Sequence, residues 1–282
     1  MLWLASLVIT AVTGDTNLVP TVILLGSFLV PVTAVIWYLD HYQSETLTPS
    51  MVVRAFVLGG LLGVLAASVL EAWLLAEGAL VSLGIGLVEE GAKALALVWI
   101  ARSLPHYRVR DGVVLGAAVG FGFAAFESSG YAFNALIIQQ NGVLLGLSLP
   151  NMVYTELVRG VLAPTGHGLW TGILGGVLFS SARGSRLRLS LRVIVTYLVV
   201  SILHALWDSM QSIALLVTDL ITGSPALHIA AVYGVLPPPT PRQVDVYLAC
   251  QWGGLLVLSL IGFSMLVLVW RWLSVRQALG RA

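Results

Sequence analysis

Charge is scarce in this chain. Of its 282 residues 10% are Asp, Glu, Lys or Arg and 58% are hydrophobic, and the mean hydropathy is +0.96. A soluble domain carries roughly 25% charged residues, so a soluble protein built from this sequence would have too few charges to cover its surface. The apolar content equally excludes a disordered chain. With 14 basic and 13 acidic residues the net charge is +1. That leaves no field to attract phosphate and argues against a nucleic-acid partner. The single cysteine, Cys250, excludes an intramolecular disulfide and any multi-cysteine metal site. Lying in an apolar run, it reads as a small core residue. What remains is a polytopic membrane protein in contact with the lipid bilayer.

Long apolar runs are abundant. A spanning helix needs about 20 mostly apolar residues. Seven segments qualify, near 19–39, 52–75, 79–101, 112–137, 164–182, 192–218 and 246–270. Residues 1–13 add a short eighth helix; they have neither the basic start nor the cleavage site of a signal peptide. The runs are continuous rather than alternating, which excludes barrel strands. The expected fold is all-α, a polytopic transmembrane helical bundle of about eight helices, with residues 1–282 as a single integral membrane domain. The longest breaks between the apolar runs are about 138–163 and 219–245; the second, holding Pro237, Pro238 and Pro239, reads as an ordered turn or a linker.

Arginine is sorted between the loops. Arg54, Arg102, Arg108, Arg110, Arg183, Arg186, Arg188, Arg192, Arg271, Arg276 and Arg281 fall on one side, Arg159 and Arg242 on the other. The positive-inside rule assigns the first set, with the C-terminus, to the cytoplasm of a protein located in the cell membrane. Trp3, Trp37, Trp73, Trp99, Trp270 and Trp272 lie near helix ends and fit an interfacial aromatic belt. Gly112, Gly116 and Gly120, and again Gly168, Gly172 and Gly176, recur at spacing four, which lets helix backbones approach closely.

Seven ionisable residues nevertheless fall inside the apolar spans: Glu89, Glu90, Lys93, Glu127, His167, His204 and Asp208. Each charged group at the bilayer centre costs on the order of 2.5–3.5 kcal/mol, so such groups face inward, satisfy one another and mark function. Lys93 is one helical turn from both glutamates, as are Tyr131 from Glu127, Thr171 from His167 and Asp208 from His204. Glu89, Glu127 and Asp208 each read as ten residues or so in from the outer ends of their spans. His204 is one turn deeper and His167 nearer the end. The set thus forms one layer roughly 10–20 Å below the outer face. Glu156 and Arg159, three apart, read as a pair near that face, from which Arg159 can approach the layer. His41, His106 and His228 lie in loops and read as solvated, while Glu71 and Glu77 flank a helix end.

Two chemistries suit this cluster. In metal-assisted hydrolysis Glu127, His167 and His204 ligate zinc, Asp208 orients His204, and Glu89 or Glu90 is the base. In metal-free hydrolysis a desolvated glutamate activates water beside a second acid, with a histidine on the oxyanion. HExxH, GxSxG and paired membrane aspartates are all absent.

The motifs Glu89-Glu90-x-x-Lys93, Phe126-Glu127-x-x-x-Tyr131, His167-Gly168-Leu169-Trp170-Thr171-x-Gly and His204-x-x-Trp207-Asp208 resemble the set found in the PrsW family. These are bacterial multi-pass membrane proteins regarded as intramembrane proteases. The resemblance covers residues 20–210; Gly26 to Val32 and Asp111-Gly112 resemble actinobacterial members in particular. The family is distantly similar to the CAAX-protease and bacteriocin-processing superfamily, whose last motif His204-x-x-x-Asp208 fits. Phe123-x-x-x-Glu127 departs from that superfamily's Phe-x-x-x-His by carrying Glu for His, which leaves the metal question open. The resemblance implies a peptidase that cuts a membrane-anchored protein, such as an anti-sigma factor, on the outer side. The residues alone leave two other classes open: a proton- or metal-ion-coupled transporter, against which no inverted repeat is seen, and a non-enzymatic membrane scaffold.

Overall fold

The computed structural model describes every residue except 43, 77, 79, 141–142, 224–237, 274 and 276–282. His228, Glu77, Pro237, Arg276 and Arg281 therefore lie outside the described residues.

The architecture is an all-α helical bundle. Helices α1 (Leu2–Thr13) and α2 (Val19–His41) are followed by α3 (Pro49–Leu74), α4 (Val81–Ala101) and α5 (Val109–Leu136). Then come α6 (Leu149–Leu162), α7 (His167–Ser180), α8 (Leu191–Asp208), α9 (Met210–Thr222) and α10 (Pro241–Leu268). Among the described residues five helices are long and apolar enough to cross a membrane: α2, α3, α5, α8 and α10, with their flanking turns. Helix α4 has the length but carries Glu89, Glu90 and Lys93. Starts are written locally. Thr48, Ser148, Ser190 and Thr240 each accept a backbone N–H of the first turn, and Thr240 with Gln243 closes a capping box.

Three expected segments differ in the structure. The span read at 192–218 is two helices, α8 and α9, divided at Ser209. Asp208 and Ser209 are poor helix formers at the break, although the apolar run continues across them. The span read at 164–182 is shorter, because Pro164 and Gly166 keep the chain in a 3-10 turn until His167. The resulting α7 has 14 residues, about 21 Å, and Gly168–Phe179 are all buried, so protein rather than lipid surrounds it. The break at 138–163 carries regular structure among its described residues: strands β1 (Ile137–Gln140) and β2 (Val143–Leu147) pair antiparallel, and α6 follows.

Helix α5 is the central post, with 89% of its most apolar window buried, and α7 lies against it along the expected glycine rows. A Cβ on Gly112 would strike the carbonyl oxygen of Gly175, and one on Gly120 that of His167. Side-chain-free contact of this kind brings the two backbones together. At the far end of α1, Trp3 Nε1 donates to Glu156 Oε2 at 2.9 Å, so Glu156 serves α1 and leaves Arg159 to another partner.

The first turn of α5 holds the loop after α2. Asp111 is fully buried and accepts hydrogen bonds from Tyr42 (3.1 Å), Ser44 (2.6 Å) and Thr46. Burial and the Asp111 carboxylate push the Tyr42 hydroxyl well above its usual pKa, so it remains a neutral donor. Hydrogen bonds to a charged group contribute about 1.5–3 kcal/mol each. Asp111→Ala is expected to destabilise the protein by about 3 kcal/mol, read as a lower melting temperature in detergent, with Asp111→Asn intermediate.

Candidate active site

The seven ionisable residues of the sequence converge, from α4, α5, α7 and α8. On α4, Lys93 Nζ lies 2.7 Å from Glu90 Oε1 and 3.4 Å from Glu89 Oε2. It also lies 2.8 Å from His167 Nδ1 and 4.1 Å from the centre of the Phe123 ring. On α8, His204 Nδ1 is 3.1 Å from Glu90 Oε1. Its Nε2 is 3.6 Å from Glu89 Oε2 and 3.3 Å from Asp208 Oδ2. On α7, His167 Nε2 is 3.0 Å from Glu127 Oε2, and Nδ1 is 3.9 Å from Glu89 Oε2. Trp170 lies along the His204 ring, centroids 4.9 Å apart and planes at 31°.

The two glutamates of α4 are not equivalent. Glu90 is wholly buried and is spent on Lys93 and His204, with Oε2 unpartnered among the described residues. Glu89 lines a cavity of about 680 Å³ shared with Glu71, Glu127, Arg159, Trp207 and Asp208. Glu89 uses Oε2 toward the imidazoles and Lys93, and no partner of Oε1 is found among the described residues.

Glu127 is gripped from outside by Arg159 of α6. That guanidinium donates through Nε to Ser128 Oγ at 2.8 Å and rests 4.1 Å over the Tyr131 ring. Ser128 is the contributor that sequence reasoning does not single out, while Trp170 enters there only as part of a motif. Arg159 joins the layer because α6 is a helix packed on α5, which an apolar-run reading of 138–163 does not reveal. Thr171, one turn from His167, is buried with its hydroxyl unpartnered among the described residues. His167 is the first residue of α7 and Asp208 the last of α8, so both lie at helix ends rather than well inside spans. The site is thus built where helices begin and stop, which a membrane tolerates when the irregular backbone lines a cavity.

A family model described as PrsW family intramembrane metalloprotease matches residues 48–236. The chain belongs to the PrsW family. It is an intramembrane protease, and the match takes in all seven residues of the layer. No curated protein and no solved structure matches the chain.

The family's description implies a metal, and the residues of this PrsW protein fit one. Glu89, His167 and His204 each offer one ligand atom, all within 4.8 Å of one another. A metal-binding histidine usually gives its other ring nitrogen to a carboxylate. Here Glu127 sits on His167 Nε2 and Glu90 on His204 Nδ1, which turns His167 Nδ1 and His204 Nε2 toward Glu89. Glu127, expected from the sequence as a ligand, lies outside this trio of ligand atoms. A divalent ion on His167 Nδ1 and the Lys93 hydrogen bond to that atom exclude each other.

Proposed function

We propose that this PrsW-family protein hydrolyses a peptide bond of a membrane-anchored protein, an anti-sigma factor being the type of substrate, in the outer half of the bilayer of a bacterial cell membrane. In this reading the C-terminus is cytoplasmic. The observation that carries it is the cavity-lining Glu89, whose Oε2 lies 3.9 Å from Nδ1 of His167 and 3.6 Å from Nε2 of His204. Glu89, His167 and His204 hold the metal, with zinc as the ion suited to that donor set. When bound, it would polarise the scissile carbonyl and lower the pKa of water.

The chain's own groups do the remaining work. Lys93, anchored by Glu90, stands beside Glu89 and offers its carboxylate an ion-pair partner. Glu89 Oε1 accepts a proton from the attacking water. The water oxygen adds to the carbonyl carbon, the C–N bond breaks, and the proton passes from Glu89 to the leaving nitrogen, giving a carboxylic acid and an amine, which exchange the acid proton to become carboxylate and ammonium. Glu90 and Glu127 fix the ring orientations of His204 and His167, Arg159 fixes Glu127, and Asp208 borders His204 Nε2 at the cavity wall.

The test is cleavage of a membrane-anchored reporter in proteoliposomes, with metal content measured on the same protein. A chelator is expected to stop cleavage and zinc to restore it. Glu127→Ala is expected to weaken metal retention by about 10–100-fold, the usual effect of losing an orienting carboxylate. Full chelator resistance together with absence of bound metal would remove the metal part of the reading. A flux of protons or ions that depends on Glu89 and His204, without cleavage, would favour a transporter.

A further inference from the structure

Two apolar cavities that the reaction does not use form one furrow. The first, about 490 Å³, and the second, about 460 Å³, share Trp37 and Tyr38 of α2, Val113 of α5 and Leu266 of α10 as walls. Toward the active site the furrow reaches Pro164 and Gly168. At the other end it reaches Trp270 and Arg271. Its walls are nearly all carbon along both cavities, and the guanidinium groups stand at the second end. There Arg271 lines the wall, and the Arg110 guanidinium lies 5.0 Å over the Trp270 ring. Neither arginine has a carboxylate partner among the described residues; the nearby Asp111 is occupied by Tyr42, Ser44 and Thr46. This end belongs to the arginine-rich side of the molecule, with Arg102, Arg108 and the 183–192 loop.

We propose that the furrow is a binding site for an anionic glycerophospholipid of the leaflet on the arginine-rich side. One acyl chain lies between α2 and α10, and the phosphate sits between Arg110 and Arg271. Charge complementarity selects this occupant. A zwitterionic lipid would match the walls but bring its own ammonium beside two guanidinium groups, and a soluble anion would match the arginines but not the apolar length. A lone basic patch of this kind attracts acidic lipid, and the continuous groove adds shape. The wall at the inner end is Gly168, Leu169 and Gly172, the stretch directly after His167. An acyl chain there buttresses α7 against α5.

The test uses the full-length protein in detergent micelles doped with dioleoylphosphatidylglycerol or dioleoylphosphatidylcholine. A ligand that binds only the folded state raises the melting temperature. The phosphatidylglycerol is expected to raise it by about 5 °C and the phosphatidylcholine to leave it unchanged. The exposed pair Arg110→Gln/Arg271→Gln should lose that shift. So should Ala34→Phe, which fills the furrow and spares the arginines. Equal shifts with both lipids, or a full shift surviving in both variants, would overturn the proposal. A shift reproduced by inorganic phosphate or glycerol 3-phosphate would assign the arginines to a soluble anion instead and overturn it as well. Native mass spectrometry of the wild-type protein, expected to retain phosphatidylglycerol in preference to phosphatidylcholine, checks the site without any variant.

Discussion

Glu89→Gln is expected to abolish cleavage, lowering kcat by about 10³-fold or more within the range typical of a lost proton acceptor, while the protein still folds and inserts. The substitution keeps the shape of the side chain and its place in the cavity wall. It removes the charge that faces His167 and His204 and the oxygen that takes the proton from water. Its neighbour gives the contrast. Glu90 is buried between Lys93 and His204, so Glu90→Ala strands an ammonium group in the protein interior. Breaking a buried pair costs about 3–5 kcal/mol, and this variant should lose stability along with activity. Adjacent glutamates with opposite signatures, one catalytic without a folding defect and one with it, are the expected outcome. Cleavage of a reporter and melting temperature, measured on the same preparations, decide it. Wild-type cleavage in Glu89→Gln would remove Glu89 from the mechanism.

Gly120→Val is expected to be severely damaging although it touches no polar side chain. A side chain on Gly120 would enter the carbonyl oxygen of His167, where neither backbone can yield without separating α5 from α7. Overpacking a tight core usually costs about 1–3 kcal/mol, and backbone opposed to backbone belongs at the upper end. The effect on activity should exceed the effect on stability. The carbonyl that would be pushed away belongs to a residue of the cluster, whose Nε2 is held at 3.0 Å from Glu127. Gly120→Ala should show the same loss in milder form. Gly130→Ala, where a Cβ meets nothing within 4 Å, should be near neutral in both assays. The measurements are reporter cleavage and thermal unfolding in detergent. Equal behaviour of the Gly120 and Gly130 variants would show that helix proximity does not position His167.

Much of the fold is legible from composition because a membrane imposes one rule: apolar runs must be long, helical and internally bonded. Helices α2, α3, α5 and α10 follow directly from such runs. The rule fails where protein replaces lipid around a helix. Helix α7 is too short to span yet has 12 of its 14 residues buried, since neighbouring side chains stand in for the bilayer. Helix α8 stops at Asp208 although the apolar run continues, at the polar Asp208-Ser209 step beside the cavity. The amphipathic α6, which delivers Arg159 and Glu156, cannot be found by looking for long apolar runs at all.

The site divides in the same way. By itself the sequence determined which side chains would meet: seven ionisable residues too costly to leave facing lipid, spaced one helical turn apart. Their number, their types and their presence on four separate helices follow from that cost alone. Only the tertiary structure decided how they are wired. It turned Glu89 to the cavity and Glu90 to Lys93 and His204, put Arg159 on Glu127, and set the two imidazoles with their remaining nitrogens toward Glu89. Those choices depend on helix rotation and on approaches of a few ångströms, set by glycine contacts between α5 and α7 and by where α8 ends. Helical spacing carries no information about either, because it places residues on a face without saying what stands opposite.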